Sequence, residues 1–259
     1  GRRAGAAAVR GGGAMAGLRI AYQLVAPLDR VIGPGEVERR RAYLQAAAAP
    51  GVTVTVHPAA AGYPSIESER DAVAVSPHIL AGLQRAEAEG AAAGIVGCFS
   101  DPALDASRET MRMPVVGPGQ ASVMLALQLG ERFSILSPQD TAAKRQWPRL
   151  RAQGVEARLA SVRGVGVSVL DLARGEAGMD RLAAVGRACI ERDGADVLVM
   201  GCMSMAFMGV DVELSKALGG TPVVNPVLAA LKTAEMLLAL RLSHARTAWP
   251  SPPEKPFYG

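Results

Sequence analysis

The chain has 259 residues, 49% of them apolar, 20% charged and 4% aromatic, with a formal charge of +4. That length allows one large or two small domains with a sizeable core, while the composition excludes disorder and collagen-like repeats and leaves too few aromatics for a base-stacking platform. Arg2, Arg3 and Arg10 lie in a Gly/Ala-rich stretch without acids, and the +1 that remains without them forms no cationic cluster, so no nucleic-acid partner is expected.

In chain order, Gly1 to Gly17 reads as a leader outside the fold, with Met15 as a candidate start. From Leu18 onward, strand-like runs alternate with helix formers. The runs are Leu18–Val25, Val52–Val56, Gly94–Cys98, Met113–Val116, Phe133–Leu136, Val155–Leu159, Val197–Cys202 and Pro222–Val224. The helical stretches between them are Glu36 to Ala49, Ile79 to Glu89, Ala121 to Leu129, Ala142 to Gln153 and Met179 to Arg192. This alternation predicts an α/β protein with parallel sheets flanked by helices. Val197 to Met200 is apolar throughout, as a strand covered on both faces requires. The greasiest helix, around Val227 to Leu242, is interrupted by Lys232, Glu235 and Arg241, so no membrane span is expected. Pro250, Pro252, Pro253 and Pro256 predict an extended tail.

Three cysteines, Cys98, Cys189 and Cys202, are an odd number with no C-x-x-C pair, which fits neither a disulfide framework nor a zinc site and points to a reducing, cytoplasmic setting. Two of them belong to an internal repeat. Gly90-Ala91 leads into an apolar strand ending Gly97-Cys98-Phe99-Ser100, and Gly194-Ala195 into one ending Gly201-Cys202-Met203-Ser204. Each copy follows a charged helix end and precedes a Pro-Val-Val strand, at Pro114 and Pro222. A duplicated αβα unit is the natural reading. In an open parallel sheet ligands bind beyond the carboxyl ends of the strands, where both Cys98 and Cys202 fall. Two such halves facing one another would aim two thiols at one ligand from opposite sides. That geometry suits removal of a proton from one face of a carbon and return of a proton to the other. Such a reaction needs one thiolate and one thiol, and like-charge repulsion keeps both from ionising together. Cys189, mid-helix and without a repeat partner, reads as a small buried hydrophobe.

Other signals carry less chemistry. Gly117-Pro118-Gly119-Gln120 follows a strand and opens a helix, but the third glycine and the ribose-binding acid of a dinucleotide loop are missing, so it reads as a tight turn. His57, His78 and His244 have no metal-ligand spacing, and no metal is expected. Asp101, Asp105 and Glu109 at four-residue spacing read as a solvated helix face.

The segment Gly97-Cys98-Phe99-Ser100-Asp101-Pro102-Ala103-Leu104-Asp105-Ala106-Ser107-Arg108-Glu109, with Gly201-Cys202-Met203 and Pro64-Ser65-Ile66-Glu67, resembles the aspartate/glutamate/hydantoin racemase superfamily, nearest its hydantoin and allantoin racemase branch. The resemblance runs from about Leu18 to Arg241. It implies two pseudo-symmetric lobes with the site in the cleft between them: residues 18–117 plus 222–246 in the first, 118–221 in the second and 247–259 as the tail. It further implies a cofactor-independent, two-base racemase using Cys98 and Cys202, acting on a small-molecule substrate and associating as a homo-oligomer. Gln23, Ser65, Phe99, Ser100, Ser137, Gln139, Met203 and Ser204 are the implied substrate-binding residues. Two other classes stay open at this point: a cysteine-dependent decarboxylase or cis–trans isomerase on the same scaffold, and a two-lobed binder without activity.

Overall fold

The structure, a computed structural model, describes residues 15–174 and 178–256. Most of the expected leader and the last three residues of the tail therefore lie outside the described residues. Met15 to Gly17 belong to the fold: the Gly17 amide donates to the Gly51 carbonyl at 2.9 Å and Met15 packs on the core.

The first half of the chain forms β1 (Arg19–Leu24), α1 (Leu28–Val31), α2 (Pro34–Ala47), β2 (Thr53–His57), α3 (Glu69–Ala88), β3 (Ala93–Gly97), α4 (Leu104–Thr110) and β4 (Val115–Val116). The second forms α5 (Pro118–Leu129), β5 (Phe133–Ser137), α6 (Ala143–Ala152), β6 (Leu159–Gly164), α7 (Val169–Ala173), α8 (Met179–Glu191), β7 (Val197–Met200), α9 (Met203–Ala206), α10 (Asp211–Ala217), β8 (Val223–Val224) and α11 (Pro226–Ala239). The eight strands make two four-stranded parallel sheets, ordered β2-β1-β3-β4 and β6-β5-β7-β8. The order is the same in both. Strands β3 and β7, each wholly buried, occupy the same place in their sheets, and the two repeat cysteines follow them.

One apolar cluster runs through both sheets, from Ile20 and Tyr22 to Phe133 and Val197, so the halves share a core. A smaller cluster under α3 uses Val75, Ile79, Leu83 and Ala86, a stripe at helical spacing. Helix α11, following the second sheet, packs back against α5 and β3.

Three expectations need correction. The sixth strand is not Val155–Leu159: a 3-10 turn occupies Glu156–Arg158 and the strand begins at Leu159. Its polar residues find partners far along the chain, Ser161 with Ser134 at 2.8 Å and Arg163 with Asp193 at 2.5 and 2.7 Å. Helix α3 starts ten residues ahead of Ile79, because Ser68 caps it and Pro77 is carried inside it. Val223–Val224 pair with β7, so the second sheet extends past the boundary expected at residue 221.

Candidate active site

The glycine before each repeat cysteine has a steric reason. A Cβ on Gly97 would lie 2.7 Å from the Gln23 carbonyl oxygen, and one on Gly201 2.8 Å from that of Leu136. Each strand end is pressed against its central neighbour, β1 or β5, where a side chain would force them apart. The next residue turns away from the sheet. Both turns open into one cavity of about 160 Å³, lined by Cys98 from the first half and Cys202 from the second.

The two thiols are set differently. Cys202 is the N-cap residue of α9, and the amides of Ser204 and Met205 favour its ionised form. No helix begins directly after Cys98, since α4 starts six residues on; its sulfur instead lies 3.2 Å from the Ser100 hydroxyl, and the Ser100 amide adds to the same effect. Burial pushes both thiols above the ordinary value, and a charge on Cys98 raises Cys202 further. That coupling opposes ionisation of both thiols together.

Most of the residues singled out from the sequence meet here. Phe99 and Ser100 line the cavity beside Cys98, and Met203 and Ser204 beside Cys202. Ser137 and Gln139 contribute the end of β5 and its loop, and Ser65 the opposite rim, where its hydroxyl donates to Glu67 at 2.8 Å. Gln23 is a correction. It is 1% exposed on the other face of β1, its amide nitrogen donates to the carbonyls of Leu24 at 2.8 Å and His57 at 3.2 Å, and it packs against Gly82 of α3 rather than lining the cavity. Strand alternation decides this, since Leu24 does line the cavity.

Sequence reasoning missed three residues. Asp101 belongs to no solvated helix face: it is buried, held at φ 50°, and accepts from the Gly119 and Gln120 amides and from Arg149 Nη2, each at 2.9 Å. It thereby caps α5, whose own N-cap, Gly117, has no side chain to do so. Arg149 also donates to the Phe99 carbonyl at 3.1 Å and to Gln146 at 2.9 Å, tying α6 of the second half to the loop behind Cys98. Burial raises the Asp101 carboxyl, with Arg149 and the two amides pulling the other way. Arg40 of α2, 3% exposed, lines the cavity and donates to Glu36 at 2.6 Å and to the Ser204 hydroxyl at 3.2 Å. The Gly117-Pro118-Gly119 turn is the one local signal that an outside cap was needed.

Residues 37–234 match the family described as Asp/Glu/Hydantoin racemase. A hydantoin racemase of Pseudomonas sp. (strain NS671) is 33% identical over 198 residues, covering 76% of this chain and 78% of that protein. An allantoin racemase from Klebsiella pneumoniae superposes with a TM-score of 0.84 at 26% identity, over 93% of this chain and 96% of the other. Arylmalonate decarboxylase shares the fold, with a TM-score of 0.60 at 20% identity over 85% of this chain and 92% of the other.

Proposed function

The chain belongs to the Asp/Glu/hydantoin racemase family and is an isomerase of the racemase type, and from that premise we propose that it inverts a carbon next to a carbonyl by a two-cysteine, two-base proton transfer. The substrate class is a 5-substituted hydantoin, allantoin or a related amino-acid derivative. The observation that carries this reading is the pair of thiols, Cys98 and Cys202, lining one cavity from equivalent strand ends of two topologically identical sheets. A thiolate on one side takes the α-proton, forming an S–H bond as the C–H bond breaks. The electron pair spreads onto the neighbouring carbonyl oxygen. The opposite thiol then gives its proton to the other face of the carbon, and the two sulfurs have exchanged roles. Backbone amides of Phe99, Ser100, Met203 and Ser204 are assigned to the ligand oxygens, where donors fixed in advance stabilise developing charge. Ser65, Ser137 and Gln139 are assigned to the rest of the substrate.

The reading places the enzyme in the cytoplasm as a cofactor-independent homo-oligomer. Among the described residues no helix is long and apolar enough to cross a membrane, and exposed Leu129, Met236 and Leu240 on α5 and the end of α11 support self-association.

The test is a chirality-resolved assay of hydantoins, allantoin and free amino acids. Cys98→Ala and Cys202→Ala should each abolish racemisation, while exchange of the α-hydrogen with heavy water survives for one enantiomer only. Full two-way activity in Cys202→Ala would overturn the two-base mechanism. Carbon dioxide released from a disubstituted malonate, without racemisation of any compound in the set, would replace it with a decarboxylase.

A further inference from the structure

Arg40 carries an excess of charge and of donors into the cavity. The carboxylate of Glu36 is shared: its oxygens accept from Arg40 Nε at 2.6 Å and from Arg39 Nε and Nη2 at 2.7 and 2.9 Å, so two guanidinium groups face one anion and the cluster keeps +1. Arg39 is half exposed and screened by water, whereas the Arg40 side chain is 3% exposed. The Arg40 guanidinium lies over the Phe207 ring, 4.7 Å from its centroid, and Nη2 reaches the Ser204 hydroxyl, two residues beyond Cys202. Nη1 has no hydrogen-bond partner among the described residues. A free donor on a cation that lines the cavity is available to an acceptor on a ligand. The other charged side chains lining the cavity, Glu67, Glu69 and Arg145, are all more exposed.

We propose that Arg40 is a third catalytic residue, whose Nη1 receives the carbonyl oxygen beside the reacting carbon and holds the negative charge that gathers there when the α-proton leaves. The inference rests on the proposed racemase reading and names what that site prefers: a planar enolate anion over its neutral parent. The proton goes to the thiolate, the electron pair resides on the oxygen facing Arg40, and both return to the carbon when the second thiol donates. A guanidinium suits this because its charge is permanent, and a charge-assisted hydrogen bond in a site shielded from water is stronger than a neutral one.

Barbiturate, a cyclic ureide that is an enolate anion at neutral pH, and 5,5-dimethylhydantoin, a neutral cyclic ureide with no hydrogen to lose, serve as paired probes by calorimetry. The parent protein should bind barbiturate at least about tenfold more tightly than dimethylhydantoin, Arg40→Lys should keep part of that preference, and Arg40→Met should abolish it while still binding dimethylhydantoin. Equal affinities in the parent, or a preference that persists in Arg40→Met, overturns the assignment. If Arg40→Met does not fold, the parent and Arg40→Lys decide it, since full preference with the lysine ammonium removes the need for a guanidinium. None of these readouts needs turnover, so a parent that racemises no hydantoin sinks the proposed substrate class and leaves the Arg40 result to be read separately.

Discussion

At the scale of single residues, the site depends on charges that local sequence does not advertise. Cys98 and Cys202 are legible because a short motif, Gly-Cys-x-Ser, recurs at matching strand ends, and the close approach at Gly97 and Gly201 explains why glycine precedes each sulfur. Asp101 and Arg149 are not legible, since 48 residues separate them and each looks like an ordinary surface charge. In the fold they hold a strained loop: Asp101 and Ala103 both have positive φ, at 50° and 56°, which costs an L residue about 1 to 2 kcal/mol. Replacing Arg149 by Met removes the cation that offsets the buried Asp101 carboxylate and releases the Phe99 carbonyl. Breaking a buried pair from one side costs about 3 kcal/mol or more, and with the Arg149 side chain 23% exposed a loss of about 2 kcal/mol is expected by urea denaturation. Because the loop carries Cys98, kcat should fall more than KM rises, with Arg149→Lys intermediate. Wild-type stability in Arg149→Met would show that the loop holds itself.

At the scale of elements, buried strands were readable where apolar runs coincide with burial, as in β3 and β7, and were misplaced where an edge strand draws on distant partners, as β6 does through Ser134 and Asp193. The start of α3 was missed for a different reason. Pro77 looks like a helix start, since proline cannot donate to the carbonyl four residues back, yet the helix runs through it from a capping box at Ser68. The Ser68 hydroxyl accepts from the Asp71 amide at 3.2 Å and the Asp71 carboxylate from the Ser68 amide at 2.9 Å. The box secures the rim of the cavity, because Pro64 to Glu69 lines it. Ser68→Ala should cost about 1 kcal/mol, measurable as a lower denaturation midpoint. It should raise KM with little change in kcat, since the proposed function assigns this rim to substrate binding and the proton transfer to Cys98 and Cys202. A fall in kcat of equal size would place this segment in the chemistry.

At the scale of the whole molecule, two sheets of identical order bring equivalent strand ends together, and the parallel α/β class and the duplication were both open to sequence reading because they rest on periodic patterns. What periodicity does not reveal is how the end of the chain closes over the first sheet. Edge strand β4 has only two residues and leaves backbone groups to be covered. The segment after α11 covers them: the Val115 amide donates to His244 Nε2 at 2.8 Å, Arg246 donates to the carbonyls of Arg108 and Met111, and Trp249 reaches Asp105 at 3.0 Å while lying over Arg108. Burial, together with Arg108 and Arg246, pushes His244 down from 6.5 to about 4, against the Val115 carbonyl, which raises it. The sign of the linkage follows. Between these two values the unfolded chain takes up a proton that the folded protein refuses, so this contribution to stability is fully present above about 6.5 and is lost as pH falls toward about 4. Discounted for the partial exposure of the ring, the loss amounts to about 2 kcal/mol. Carboxylates elsewhere titrate in part of the same range, so the measurement is a difference: urea denaturation of the parent and of His244→Gln, which keeps an acceptor for the Val115 amide but has no proton to gain. The parent should lose stability more steeply on acidification, so that the difference between the two proteins shifts against the parent by about 2 kcal/mol between about pH 6.5 and about pH 4. Parallel curves would mean that the clasp on β4 does not sense the protonation of His244.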